Sequence, residues 1–193
     1  MAGDTYFSVD TETDGPIPGP YSMLAFGIAI AGTFDGLHFA AHDPSENTFY
    51  RELRPTGNQV DTDALKASGL DRNHLLQKGE EPGRALLDAK EWIERLAFNT
   101  RPVLVGYPAV FDWMFMHWYF VTYTGGSPFG FSGALDMKTM YQQKARVGIE
   151  DAGRDDLPTA LRSSWPHTHN ALQDAIEQGE IFARLYEWPG GEP

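Results

Sequence analysis

Three short segments place oxygen and nitrogen donors where chemistry can use them. In Phe7-Ser8-Val9-Asp10-Thr11-Glu12-Thr13-Asp14-Gly15, two carboxylates lie two positions apart where an apolar strand runs into a Gly turn. Alternate side chains of a strand share a face, so Asp10 and Glu12 project to the same side. Hard anionic oxygens at that spacing suit one octahedral cation such as Mg²⁺ or Mn²⁺. A turn former beside a solvated strand-end charge is the competing reading, and a D-x-E triplet is too common to decide alone. Asp112 is the only acid in the apolar stretch that begins at Leu104, and it sits as a helix begins. Among Phe111, Trp113, Met114 and Phe115 its charge needs an offset, either a metal or the free N–H groups and dipole of the helix start. In His169-Asn170-Ala171-Leu172-Gln173-Asp174-Ala175, a loop His precedes a helical carboxylate. That order lets Asp174 ligate a metal while His169 reaches a metal-bound water, toward which an imidazole suits the part of general base. Taken singly, a surface His and an exposed helical acid explain the pair equally well.

These residues need elements to hold them. Thr5 to Val9 reads as a buried strand, and Met23 to Ala31 as a second strand after the turn-rich GPIPGP. Thr48 to Leu53 is a third strand candidate before Pro55, followed by Ala64, Leu65 and Leu70 at helical spacing. From Glu81 to Phe98, Leu86, Leu87, Ala89, Trp92, Ile93 and Leu96 form one stripe behind a Pro82 start signal, predicting an amphipathic helix. Val103 to Val105 is a short buried strand. Phe111 to Tyr123 and Ala171 to Trp188 read as helices, whereas Gly125 to Gly133 and Gly148 to His169 are rich in Gly, Pro, Ser and charge and read as loops. Strands first, with helices interleaved later, predicts an α/β fold whose mixed sheet is covered by helices. At 193 residues the chain has the length of one domain, predicted to span 1–193 without repeats or linkers.

Composition removes several classes. There is no Cys, which excludes disulfide scaffolds, thiolate zinc sites and thiol nucleophiles. No apolar run approaches the ~20 residues of a membrane span, so no membrane role is expected. The start, MAGDTYFSVD, lacks the basic and apolar parts of a secretory signal, which makes the cytoplasm the expected compartment. Fifteen Lys plus Arg against 27 Asp plus Glu give a net charge of −12 and a pI near 4.8, unsuited to wide wrapping of nucleic acid. An enzyme of that charge grips a few nucleotides locally, with metal ions supplying the positive charge.

Four carboxylates and a His, each at a strand or helix end, provide enough oxygens for two divalent ions about 4 Å apart. Their order resembles the DEDDh (DnaQ-like) 3′-5′ exonuclease family. The first motif is similar to Asp10-Thr11-Glu12-Thr13-Asp14-Gly15, the second to Phe111-Asp112, the third to His169-Asn170-Ala171-Leu172-Gln173-Asp174-Ala175. Phe49 to Pro55 resembles the family's third strand, Ala64 to Leu75 its following helical stretch, and Leu135 to Thr139 its Asp-Thr element, so the likeness runs from about Thr5 to Leu185. Two departures stand out. The second motif commonly has Asn four residues before its Asp, where this chain has Pro108, and Gly148 to Pro166 is a longer, more charged approach to the third motif.

The resemblance implies a ribonuclease-H-like fold with a mixed five-stranded sheet and helices on both faces. It implies that Asp10, Glu12, Asp112 and Asp174 hold two Mg²⁺ or Mn²⁺ ions around the 3′-terminal phosphodiester of single-stranded DNA or RNA. His169 would deprotonate the attacking water; one ion would lower that water's pKa and the other stabilise the leaving 3′ oxygen, releasing nucleoside 5′-monophosphates. Thr13 is the residue expected against the terminal sugar, with a turn-forming Thr as the alternative. A homodimer or a polymerase or replication partner is compatible with the resemblance.

Rival readings rest on particular residues. His167-Thr168-His169 offers a zinc-ligand pair and a second candidate base, but a zinc hydrolase needs a third ligand and leaves Asp10 and Glu12 idle. The same fold with a dead site would serve as a nucleic-acid-end binding subunit, against which every acid and the His are present. Asp136 reads as a helix-start residue. Lys138, Lys144, Arg146, Arg154 and Arg162, interrupted by acids, read as a solvated face. Ten aromatics between Tyr107 and Phe131 read mostly as core, with one or two available to stack on bases.

Overall fold

A computed structural model describes residues 3–191. The strands are β1 (Asp4–Thr13), β2 (Met23–Phe34), β3 (Phe39–Ala41), β4 (Thr48–Glu52), β5 (Arg101–Gly106) and β6 (Ala134–Asp136). The helices are α1 (Thr62–Ser68), α2 (Arg72–Lys78), α3 (Pro82–Leu96), α4 (Ala109–Thr124), α5 (Met137–Ala145) and α6 (Ala171–Glu187). The sheet runs β3-β2-β1-β5-β6, with β4 also paired to β2. β1 is antiparallel to β2 and parallel to β5, and β5 is parallel to β6, so the sheet is mixed. The sequence reading anticipated five strands. The sixth, β3, is three residues long on the far end of β2 and carries too little apolar pattern to be read beforehand.

Alternation along β1 divides the core. Phe7 and Val9 belong to a cluster with Ala85, Leu86, Ala89 and Ile93 of α3 and Phe115, Met116, Tyr119 and Phe120 of α4. Tyr6 belongs to a second cluster with Met137 and Tyr141 of α5 and Ile181, Phe182 and Leu185 of α6. Helices therefore cover both faces of the sheet, and each fully buried ring contributes about 1.5–3 kcal/mol of transfer free energy. Leu87, assigned to the apolar stripe of α3, is instead 43% exposed, because its neighbour Leu86 takes the core-facing position. The stretch expected as one helical region after Pro55 splits in two. Gly69 adopts a left-handed φ of 65° that ends α1, and the Asp71 carboxylate caps the N–H groups of Asn73 and His74 to start α2.

Two glycines let α6 lie directly on the sheet. Gly27 on β2 is the cross-strand partner of Asp10, and a Cβ there would stand 2.3 Å from the carbonyl oxygen of Ala171. Gly179 would bring a Cβ to 2.9 Å from Pro44 and 3.5 Å from the Cβ of Ser8. Helix α6 thus crosses β1 and β2 at backbone contact distance, with its first turn over Asp10. Among the described residues, no helix is long and apolar enough to cross a membrane.

Candidate active site

β1 runs straight through the first acidic motif, so Asp10 and Glu12 share the face on which α6 lies, and both are half-buried. Helix α6 starts at Asn170, whose side chain accepts the Gln173 N–H at 3.2 Å, and Asp174 occupies its first turn, 1% exposed. Carboxylate oxygens of Asp10, Glu12 and Asp174 lie within 4.8 Å of one another. Asp112, in the first turn of α4, is outside that tight group and reaches the strand between the two acids. One of its oxygens accepts both the backbone N–H and the hydroxyl of Thr11, each at 2.9 Å. The structure thus brings together four acids that lie up to 164 positions apart in sequence, as 174 − 10 = 164.

The electrostatics of this cluster are unbalanced. Burial holds the Asp10 carboxyl well above its ordinary range, and the charges of Asp112, Asp174 and Glu12 add to the effect. Glu12 is pushed up to about 8 by burial, then by Asp174 and Asp112. Burial also carries Asp112 to about 7, although its bonds from Thr11 favour the charged form. Carboxylates in that condition lack a cation. The four acids are an all-oxygen donor set, which fits a divalent ion of the Mg²⁺ or Mn²⁺ type, while His167, His169 and Asp174 form a second group within 4.8 Å that gives the His pair a third ligand.

The loop before α6 folds onto Asp174. Its Oδ1 accepts the Thr168 N–H at 2.8 Å, and its Oδ2 stands 3.1 Å from His167 Nδ1. His167 also meets Glu177 at 3.4 Å and the guanidinium of Arg154. Its pKa is lowered, by burial first and then by Arg154. His169 is exposed, adopts a left-handed φ of 56°, and packs its ring edge-on to His167 with centroids 4.7 Å apart. His167 is therefore the imidazole tied to the acids, and His169 the one left free beside them. Thr13 is buried and donates its hydroxyl to the Gly15 carbonyl at 2.9 Å, the turn-forming arrangement.

Several residues at the site carried no signal in the sequence. Gln178, fully buried on α6, donates to Asp10 Oδ1 at 2.7 Å and accepts the Tyr107 N–H at 2.7 Å, tying the ends of β1 and β5 together. Glu177 is buried and paired with Arg154 at 3.1 Å, while Arg154 also donates to the Tyr107 carbonyl at 3.3 Å. Both sit within four residues of Asp174, and i+3 and i+4 spacing is the only cue that would have flagged them. The late basic residues form a solvated face only in part: Arg146 and Arg162 are exposed, whereas Lys138, Lys144 and Arg154 are partly buried. Lys144 donates to the carbonyls of Leu185, Tyr186 and Trp188 at the end of α6, and Arg162 donates to those of Leu157 and Asp155. Asp136 caps α5 by accepting the Thr139 N–H at 2.7 Å, and its other oxygen accepts the Ala109 N–H at 2.7 Å. That second bond supplies the cap that Pro108 has no side-chain group to give. Most of the aromatics between Tyr107 and Phe131 are core, although Phe131 is 89% exposed.

No family model matches the chain. The 3′-5′ DNA exonuclease Cap18 of Escherichia coli is 34% identical over 180 residues, which cover 93% of this chain and 90% of that protein. The nuclease domain of 3′hExo, a DEDDh family member solved with bound rAMP, superposes with a TM-score of 0.68 at 13% identity, covering 96% of this chain and 92% of that one. Cell-death related nuclease 4 (CRN-4) superposes with a TM-score of 0.68 at 14% identity, covering 97% of this chain and 66% of that one. The structural likenesses establish a ribonuclease-H-like fold, and the sequence relative establishes kinship through nearly the whole chain. The chain belongs to the DEDDh family of 3′-5′ exonucleases.

Proposed function

We propose that the protein is a single exonuclease domain that trims single-stranded DNA from its 3′ end, releasing nucleoside 5′-monophosphates by a two-metal mechanism with His169 as general base. One observation carries the reading: oxygens of Asp10, Glu12 and Asp174 converge within 4.8 Å and, among the described residues, no Lys or Arg is bonded to them. That arrangement supports Asp10, Glu12, Asp112 and Asp174 as the holders of two Mg²⁺ or Mn²⁺ ions. Bound there, the ions would supply Lewis acidity at the scissile phosphate and at the departing 3′ oxygen. His169 takes the proton of the attacking water, a role supported by its exposure beside Asp174 and by the commitment of His167 to Asp174, Glu177 and Arg154. Gln178 fixes the rotamer of Asp10, and Thr11 that of Asp112, so the acids are held before substrate arrives. DNA is proposed over RNA because the 34% identical relative is named as a DNA exonuclease.

The test is digestion of matched 5′-labelled and 3′-labelled DNA and RNA single strands with Mg²⁺ or Mn²⁺, and again with chelator. Progressive shortening of 5′-labelled DNA, immediate release of label as mononucleotide from 3′-labelled DNA, and arrest by chelator are expected. Internal cuts, or undiminished hydrolysis in chelator, would overturn the reading; faster digestion of RNA would overturn the choice of sugar.

A further inference from the structure

The exonuclease reading leaves one cation at the site without a task. Arg154 lies in the short 3₁₀ turn Arg154–Asp156, and its guanidinium is held by the buried carboxylate of Glu177 and the Tyr107 carbonyl. Desolvation of a sheltered ion pair can exceed its Coulombic return, so this pair, with Arg154 21% and Glu177 7% exposed, points to a use beyond stability. Its position indicates that use. Gln178 bridges the Asp10 carboxylate and the Tyr107 N–H, and Arg154 donates to the Tyr107 carbonyl, so Arg154 stands at the Asp10 end of the acid row. There it lines an open cleft of about 280 Å³ with Tyr107, Pro108, Lys138, Gly153 and His167. Asp155 lines the cleft too, exposed to solvent, so two cations face one carboxylate. Among the described residues, no carboxylate lies within ion-pair distance of Lys138.

From this arrangement we infer that Arg154, assisted by Lys138, binds a substrate phosphate, namely the phosphodiester adjacent to the one being cleaved. The inference rests on the exonuclease reading and adds to it a specific contact. A strand whose scissile phosphate lies against the acids must pass one end of their row, and the Arg154 end offers positive charge in an open cleft. Glu177, the Tyr107 carbonyl and His167 engage the two terminal nitrogens of the guanidinium, and among the described residues the Nε–H has no hydrogen-bond partner. Arginine presents its donors in a rigid fork, so it can stay anchored on Glu177 while bonding a phosphate oxygen. With a net charge of −12, one such contact does most of what the rest of the surface cannot.

The experiment pairs a substrate change with an enzyme change. Single-turnover removal of the first nucleotide is measured on single-stranded DNA that carries either an ordinary phosphate or a neutral methylphosphonate at the second linkage from the 3′ end. Because removing Arg154 alone leaves Glu177 buried and unpaired, the neutral pair R154Q/E177Q is compared alongside Arg154→Gln. Neutralising the second linkage should slow the wild type by about 10- to 100-fold, the range of one charged hydrogen bond. Both variants should be slowed by a similar factor on the ordinary strand and lose less than about twofold more on the methylphosphonate. Lys138→Gln should lose about two- to fivefold, as a partly exposed charge does. Equal losses from the methylphosphonate in wild type and both variants would overturn the contact, since a purely structural role for Arg154 cannot depend on which linkage is charged. Wild-type cleavage of the ordinary strand that is metal-independent or internal would instead mark failure of the exonuclease reading.

Discussion

The same strand and turn carry two kinds of sheltered acid, one fully buried and the other half-buried. Asp14 is fully buried, yet it is paired with Arg72 Nε at 2.7 Å and accepts the Ser22 N–H at 2.5 Å. Asp10 and Glu12, a few residues earlier, have no cation bonded to them and repel each other and Asp174. Asp14 uses its charge to close the turn after β1 and to hold α2 against it. The other two are kept in a state that costs stability, which is the expected condition of a site whose counter-charge arrives from outside. Burial alone therefore does not separate a structural acid from a functional one; the presence or absence of a resident partner does.

Exchanging the two kinds of acid for alanine should give opposite results. Asp10→Ala or Asp174→Ala should abolish hydrolysis while the metal-free melting temperature holds or rises, since each removes a repelling charge. Residual activity above background in both, or loss of folding in both, would break the comparison. His169→Ala should lower kcat by roughly 10² to 10⁴, the span of general-base catalysis, with Mn²⁺ affinity measured by calorimetry largely kept. If His167→Ala gives that loss and His169→Ala does not, the free imidazole is the wrong base.

Asp14→Ala should behave as a stability variant. It leaves the Arg72 guanidinium, 16% exposed, without its carboxylate, at a cost of about 3 kcal/mol in urea unfolding. The smallest expected effect is on pH. Glu12 near 8 and Asp112 near 7 hold protons in the folded state that an unfolded carboxyl releases near 4. Folded-state pKa values raised in this way make metal-free stability fall as pH rises from about 5 to 8 and level off above that window. Thermal melting across the range should show that decline, weaker in Glu12→Gln and reduced by Mg²⁺. A melting temperature that rises steadily with pH in metal-free protein would contradict it.

The first strand, the helix carrying Asp112 and the helix carrying Asp174 were legible because long apolar runs and start signals mark them. The alternation that buries Phe7 and Val9 on one face also fixes Asp10 and Glu12 on the other, so half of the site followed from strand period alone. Gln178, Glu177 and Arg154 were not legible. Their roles depend on α6 lying on β1 at glycine distance and on the path of an irregular loop, and neither is encoded in local periodicity. His167 and His169 share a dipeptide spacing that cannot say which ring turns inward. Backbone conformation at His169 decides it.

The double bond of Asp136 has a consequence for how the site tolerates change. One carboxylate closes the starts of both α4 and α5, so the entry angle of the helix bearing Asp112 is set from a neighbouring strand rather than by its own leading residues. That frees the position of Pro108 to vary without disturbing Asp112. It also transfers vulnerability: the loop from Gly125 to Gly133 leads into β6, and a change in its length that shifted Asp136 by one residue would turn its side chain to the other face of the sheet. Two helices would lose their cap together, and an alteration in a remote loop would be felt at the Asp112 carboxylate.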